Sequence, residues 1–257
     1  ASLSYKDMPF VLAPNLWSKL SNKNKTIKHI ERAHQDGINI SIESPEAFEE
    51  VFWKTFDDQE IETEEKFKTY VQLINKRYQK RRYLSKNNQN IRRLKVISKI
   101  FPNSAIFIPF RDPVQHAYSL LFQHKKFIEY SKHDQFTPNY MKWIGHTEFG
   151  PNYLPIIDLN TNFNNNLSIN HWLEQWYLTY KNCFDLFKYH KNINFICYEI
   201  LCKSEKCWSK LLEKSEIHET YNFEFQHSKK QISENINNEL NFLANSLYAQ
   251  LNEIALK

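Results

Sequence analysis

Arg111, Ser119 and Lys86 carry side chains that could together bind a small anion. Arg111 ends an apolar run, and Ser119 follows eight residues later, two turns into the next predicted helix, so both can face one group. The guanidinium supplies a planar fork of donors and the hydroxyl a further donor, which suits a phosphate monoester. Lys86 adds a point charge at the end of another predicted strand. The alternative is that Arg111 forms a surface ion pair with Asp112, while Ser119 is an ordinary helix residue.

Alternating strands and helices must position these side chains. The predicted elements are strands at 82–85, 105–110 and 193–197 and helices at 90–100 and 113–130. This alternation predicts a helix-rich α/β fold in which helices flank a parallel sheet. In open parallel sheets, ligands bind outside the carboxyl ends of the strands, where Lys86, Arg111 and the pair Tyr198-Glu199 are expected to lie.

Helical spacing of apolar residues predicts further helices before and after this part of the chain. They cover 15–34, 45–57, 60–80, 169–190, 204–215 and 234–256. The stretch 131–168 is rich in Asn, Pro and His and is predicted to be a loop-rich insertion with a short helix at about 140–144. The length and apolar content suit one buried core, so we expect a single domain of residues 1–257.

Composition excludes several classes of function. The chain has only 3 glycines, so no Gly-rich phosphate loop is present in these residues. Its net charge of +5 comes from mixed basic and acidic residues, which favours a small anion as partner over nucleic acid. The 4 cysteines lack zinc-site spacing, so we expect reduced thiols, no bound metal and a cytoplasmic location. No apolar stretch is long enough to span a membrane.

Five segments of the chain form a recognisable series: Lys86-Asn87-Asn88, Arg92-Arg93-Leu94, the run from Ile100 to Pro113, Ser119, and the later strand Ile193 to Leu201 with Tyr198-Glu199. Together these segments resemble the sulfotransferases that use 3′-phosphoadenylyl sulfate. The resemblance is specific over 83–125 and weaker elsewhere. Looser similarity to a bacterial branch of these enzymes occurs at 7–10, 31–37, 44–50 and 143–150.

The resemblance implies a P-loop-like sulfotransferase fold and transfer of a sulfuryl group to a hydroxyl or amine acceptor. It implies that Arg111 and Ser119 bind the 3′-phosphate of the nucleotide, that Tyr198 contacts the base, and that Lys86 also binds the co-substrate. The expected partners are the nucleotide and an unidentified acceptor, without a metal ion. Self-association into a homo-oligomer is left open.

One motif of that family has no match in this chain. The family's 5′-phosphosulfate loop is a basic, Ser/Thr-rich turn, and nothing similar precedes a helix here. Because that loop lies upstream of the matched segments, we expect an additional N-terminal segment that carries it. The alternatives are a non-catalytic or degenerate sulfotransferase-like binding or assembly module and a P-loop-related kinase.

Sulfuryl transfer requires a base that accepts the proton of the acceptor hydroxyl. The candidate catalytic residues are His34, His146 and Glu148, with Glu31 as a further candidate base. His34 precedes the Asp36-Gly37 turn, and imidazole titrates near neutral pH. His146 and Glu148 lie in the predicted insertion, where an acceptor pocket or lid is expected. The alternative is that these side chains are solvated or cap loops.

Overall fold

The computed structural model describes most of the chain in two compact units. The described residues are 1–20, 29–31, 39–56, 61–134, 136–157, 162–218, 225 and 229–257. The first unit comprises residues 1–96 and 127–154, and the second comprises 97–126 and 155–257.

Short helices dominate the first unit. Its elements are α1 (Pro14–Leu20), β1 (Ile30–Glu31), β2 (Asn39–Ile40), α2 (Glu49–Thr55), α3 (Ile61–Tyr78), the start of α4 (Leu94–Ile100), the end of α5 (Pro113–Ser131) and α6 (Phe136–Ile144). Strands β1 and β2 pair antiparallel. Three 3-10 turns, at Tyr5–Asp7, Asn88–Arg93 and Gly150–Asn152, connect these elements.

An aromatic cluster holds α2 against α3. The ring centroids of Trp53 and Phe67 are 4.3 Å apart, and those of Phe52 and Tyr70 are 5.0 Å apart in a stacked arrangement. All four side chains are buried. The predicted helix at 60–80 is therefore confirmed, because its apolar stripe provides the face that packs on α2.

The predicted strand at 82–85 is wrong. Among the described residues, the main chain of this stretch pairs with no strand. The Leu84 N–H donates instead to the carbonyl of Ala1. Ser85 of this stretch and the neighbouring Asn87 bond to α2, since the Ser85 hydroxyl donates to Glu49 and the Asn87 amide donates to Glu50. These side-chain bonds fix an irregular extended segment rather than an edge of the sheet.

Two other predicted helices need correction. The helix predicted at 15–34 ends at Leu20 within the described residues, and Ile30–Glu31 form a strand instead. The helix predicted from Ser44-Pro45 begins at Glu49, because Pro45 forms a bridge with Ser4 and the Ser44 hydroxyl accepts from the amide of Ser41.

A parallel pair of strands forms the centre of the second unit. The elements of this unit are the end of α4, β3 (Ile106–Phe110), most of α5, α7 (Ile169–Phe187), β4 (Ile193–Cys197), α8 (Tyr198–Leu201), α9 (Glu205–Lys214) and α10 (Asn238–Ile254). Strands β3 and β4 pair in parallel from Ile106↔Ile193 to Phe110↔Cys197. Helix α10 packs against both α7 and β4. The prediction of a helix-rich α/β protein with helices flanking a parallel sheet is confirmed at this level, with two strands in the described sheet.

Local sequence explains where the helices of this unit begin. The hydroxyls of Ser168 and Ser204 and the side chain of Asn237 accept main-chain hydrogen bonds at the first turns of α7, α9 and α10. The apolar face of α7 is buried, including Trp172, Trp176 and Tyr180. These caps and this apolar face fix the helices that surround β3 and β4.

The region predicted to be an insertion contains regular structure. Its predicted short helix is confirmed and is longer than expected, because α6 covers Phe136–Ile144. Residues 131–154 belong to the first unit, and those from Pro155 onward belong to the second.

Candidate functional site

Arg111 and Tyr198 directly follow the last paired residues of the two parallel strands. Phe110 and Cys197 form that last pair, so the next residue of each chain segment leaves the sheet at the same edge. The guanidinium carbon of Arg111 lies 5.6 Å from the centroid of the Tyr198 ring. A cation over an aromatic face at this distance is attracted by the ring electrons. Parallel pairing thus brings together two residues that are far apart in sequence.

Among the described residues, no carboxylate forms an ion pair with the guanidinium of Arg111. Asp112 caps α5 instead, since its Oδ1 accepts from the amide of Gln115 at 2.9 Å. Within the part of the chain that the structure describes, no ion pair joins Arg111 to Asp112, and the buried Nε of Arg111 has no hydrogen-bond partner. The surface ion pair considered from the sequence is therefore not formed between these residues. The guanidinium is available to an anion.

Glu199 joins the ends of the strands to α10. Its Oε1 accepts from the Asp112 amide at 3.0 Å, and its Oε2 accepts from the Tyr248 hydroxyl at 3.1 Å and from the Cys197 thiol at 3.3 Å. Burial alone would raise the pKa of Glu199, but these hydrogen bonds to the carboxylate lower it below the ordinary value. Glu199 is therefore ionised at neutral pH and acts as a brace.

A polar pocket of about 310 Å³ opens at this edge of the sheet. It is lined by Arg111, Asp112, Gln115, Glu199, Lys203, Lys229 and Tyr248. Three of these side chains are cations and two are carboxylates, and both carboxylates accept hydrogen bonds from main-chain amides. The first turn of the 19-residue helix α5 adds the positive end of a helix dipole. The pocket is thus suited to an anion.

His116 lies one turn along α5, next to the pocket. Burial lowers its pKa to about 4, and the nearby charge of Arg111 contributes to this effect. Its ring lies 6.4 Å from that of Tyr180, and its buried Nδ1 has no hydrogen-bond partner among the described residues. His116 is therefore neutral at pH 7 and leaves the positive charge of the site to Arg111 and the lysines.

The four residues predicted to bind the nucleotide occupy different positions. Arg111 lines the pocket, and Tyr198 lies beside Arg111. Ser119 is partly exposed on α5, two turns beyond Arg111, and is not one of the residues that line the pocket. Lys86 belongs to the first unit, where its ammonium group lies 3.2 Å from the side-chain oxygen of Asn88.

Two of the predicted catalytic residues, His146 and Glu148, do not belong to the unit that holds the pocket. His146 and Glu148 belong to the first unit and follow α6, and the amide of His146 donates to the carbonyl of Met141 at 2.9 Å. Both side chains are partly exposed. His34 lies outside the described residues. Glu31 ends β1 and is exposed.

Lys203, Lys229 and Tyr248 were not predicted from the sequence, although all three line the pocket. Lys203 follows Tyr198 by five residues, just after α8, and Lys229 begins a Lys-Lys pair before the final helix. The sequence positions of these two lysines are only weak indications of a binding role. Only the packing of α10 against β4 brings Tyr248 to the strand ends.

The described residues contain no cluster of three or more His, Cys, Asp or Glu side chains able to hold a metal ion. Within the same residues, none of the helices has the length and apolar character needed to cross a membrane. Comparison with protein families, curated proteins and solved structures found no match to this chain.

Proposed function

We propose that this protein is a sulfotransferase of P-loop-like fold that transfers a sulfuryl group from 3′-phosphoadenylyl sulfate to a hydroxyl or amine acceptor. The observation that carries the proposal is the pocket at the carboxyl ends of β3 and β4, where Arg111 is free of a carboxylate partner in the described structure and two lysines lie nearby. The sequence resemblance over 83–125 supports the same conclusion.

The proposed ligand of the pocket is the 3′-phosphate of the nucleotide. The planar donors of Arg111 can bind two phosphate oxygens at once, while Lys203 and Lys229 supply point charges. Tyr198 lies against Arg111 and offers an aromatic ring to the adenine base. Ser119 and Lys86 remain proposed contributors to nucleotide binding.

In the proposed reaction, the acceptor oxygen or nitrogen forms a bond to sulfur while the bond between sulfur and the 5′-phosphate oxygen breaks. The acceptor proton passes to a base, and adenosine 3′,5′-bisphosphate leaves. We propose His146, Glu148 or His34 as that base. In this scheme, no metal ion is needed to supply the positive charge that stabilises the leaving phosphate.

Calorimetric titration with adenosine 3′,5′-bisphosphate tests the binding site. We expect Arg111→Ala to weaken binding by about 10–100-fold, because hydrogen bonds to charged groups contribute about 1.5–3 kcal/mol each. Adenosine 5′-monophosphate, which lacks the 3′-phosphate, should bind weakly to both proteins. The charge-matched control is Arg81→Ala, which removes an exposed cation of the first unit. Equal binding of the two nucleotides to the unsubstituted protein would contradict a 3′-phosphate site.

A second candidate function is a non-catalytic nucleotide-binding or assembly module. The observation that favours it is the lack of a match to the family's 5′-phosphosulfate loop. A transfer assay with labelled 3′-phosphoadenylyl sulfate and a panel of phenol, alcohol, sugar and amine acceptors separates the two. Bisphosphate binding without transfer to any acceptor supports the module. Preferential binding of ATP with Mg²⁺ would favour the kinase alternative instead.

We also propose a cytoplasmic location and leave self-association open. All four cysteines are described, and all are free thiols, of which Cys183, Cys197 and Cys207 are buried. Free, buried thiols are common in proteins of reducing compartments.

A further inference from the structure

The segment that carries Lys229 is fastened to α5 by one glutamine side chain. Gln115 Nε2 donates to the carbonyl of Lys230 at 2.9 Å, and the amide of Lys230 donates to Gln115 Oε1 at 2.8 Å. Both main-chain polar groups of Lys230 are thus satisfied by one side chain, as they would be by a neighbouring strand. Gln115 is in the first turn of α5 and lines the anion pocket.

Contacts farther along fix the same segment to α7. Asn170 Nδ2 donates to the carbonyl of Asn235 at 3.2 Å, and the amide of Asn237 donates to Asn170 Oδ1 at 2.9 Å. A second amide side chain therefore both donates to and accepts from the main chain of this segment, here at two different residues. The segment 229–237, which we call the strap, has no regular secondary structure and relies on these side-chain bonds.

The two lysines at the start of the strap have different positions. The ammonium group of Lys230 lies over the rings of Tyr118 and Phe122 on α5, at 5.9 and 4.8 Å from their centroids. The side chain of Lys229 lines the pocket instead. Because the residues are adjacent, a main chain held at Lys230 restricts where the long side chain of Lys229 can reach.

We infer that Gln115 is a positioning residue that holds Lys229 in the anion pocket through its two hydrogen bonds to Lys230. The identity of the anion rests on the proposed function, but the hydrogen bonds to Lys230 do not. In this inference, Gln115 affects ligand affinity by acting on Lys229. A direct contact between the Gln115 amide and the ligand would give additive effects of substitutions at the two positions.

Hydrogen exchange in the absence of ligand tests the hydrogen bonds. We expect Gln115→Ala to accelerate exchange of the Lys230 amide, measured by NMR, by roughly fivefold or more, the ratio that corresponds to a hydrogen bond of ordinary net strength. Gln115→Met, which keeps the length of the side chain but lacks the amide, should have the same effect. This result would exclude a packing defect as the cause of faster exchange. Glu234→Gln is the control, since it removes only an exposed ion pair between the strap and Lys125. An unchanged exchange rate in both Gln115 variants overturns the inference.

A double-mutant cycle on adenosine 3′,5′-bisphosphate affinity tests the coupling. Lys229→Ala should weaken binding by about 5–10-fold in the unsubstituted protein and by less than about 2-fold in the Gln115→Ala background. The second loss is smaller because a lysine that Gln115 no longer positions contributes little to the binding affinity. Equal losses in the two backgrounds would show that Gln115 does not act through Lys229 and would overturn the inference. If exchange accelerates but the unsubstituted protein does not bind the bisphosphate, the positioning of the strap is supported and the proposed function fails.

Discussion

At the scale of single residues, Glu199 has the most consequential environment in the second unit. It accepts hydrogen bonds from the Asp112 amide, the Tyr248 hydroxyl and the Cys197 thiol, which belong to three separate segments. None of these bonds is to a cation. Glu199 therefore maintains the geometry beside Arg111 through these three hydrogen bonds.

The depressed pKa of Glu199 makes its contribution to stability dependent on pH. A carboxyl group with a folded-state pKa below its ordinary value of 4.5 stabilises the fold above that pH, and this contribution is lost as the pH falls through the folded-state pKa. We expect Glu199→Gln to lower the melting temperature by about 2–4 °C at pH 7 and by less near pH 3. Thermal unfolding followed by circular dichroism measures both values. Glu213→Gln, which replaces an exposed glutamate on α9, provides the control. An effect of Glu199→Gln that does not diminish in acid would contradict this role.

At the scale of elements, a buried ion pair joins the 3-10 turn at Asn88–Arg93 to α2. The two terminal nitrogens of Arg93 donate to the two carboxylate oxygens of Glu50 at 2.5 and 2.9 Å, and both side chains are buried. The guanidinium carbon of Arg93 also lies 5.0 Å from the ring centroid of Trp53. This pair fixes the segment that follows α3 where no strand pairing is available in the described residues.

We expect Arg93→Met to destabilise the protein by about 3–5 kcal/mol, because the substitution leaves the Glu50 carboxylate buried without its cation. Chemical denaturation measures the change in the free energy of unfolding. The matched control is Lys66→Met on α3, which removes an exposed pair with Glu62 at 3.3 Å and should cost less than about 1 kcal/mol. Similar losses for the two variants would mean that the buried pair has no special role.

The end of α6 depends on a residue without a side chain. Gly145 has a φ of +86°, and the amide of the next residue, His146, donates to the carbonyl of Met141 at 2.9 Å to close the helix. A Cβ atom on Gly145 would lie 2.9 Å from the Cβ of Glu50. Two independent requirements, a left-handed backbone and a close approach to α2, therefore select glycine.

Gly145→Ala should destabilise the protein by about 2 kcal/mol or more, because the strain of a left-handed alanine adds to the contact with α2. Denaturant unfolding measures the loss. Gly145→D-Ala, made by chemical ligation, suits the left-handed backbone and carries its Cβ at the other hydrogen position of the Cα, so it should recover part of the stability. If the two variants are equally unstable, neither the left-handed backbone nor the contact with Glu50 explains the effect.

At the scale of the whole molecule, a ligand that binds only the folded pocket should raise the unfolding temperature. At a bisphosphate concentration 100 times its dissociation constant, the stabilisation is about 2.7 kcal/mol. We expect differential scanning calorimetry to show this shift for the unsubstituted protein at that concentration, and a much smaller shift for Arg111→Ala at the same concentration. If the two units unfold in separate transitions, only the transition of the unit that contains Arg111 should move. A shift of equal size in Arg111→Ala would contradict the pocket as the binding site.

The sequence alone determined most helices, the bounds of one strand and the position of two pocket residues, Arg111 and Glu199, at the strand ends. The apolar stripe of α3 and the run Ile193–Cys197 are local patterns, so each predicts its own element without knowledge of the rest of the chain. Arg111 could be selected because it directly follows an apolar strand, and in a parallel sheet ligands bind beyond that end.

Tertiary structure decided what local patterns do not contain. The stretch 82–85 has the composition of a strand, but a strand requires a partner strand. Ser85 and the neighbouring Asn87 bond to carboxylates of α2 instead. The two compact units are each assembled from separate stretches of sequence, which periodicity does not reveal. Lys203 and Lys229 reach the pocket because helix ends and side-chain bonds bring distant segments to one sheet edge. The local order of apolar and polar residues determines the helices and strands. The assembly of the charged pocket depends instead on contacts between residues far apart in the chain.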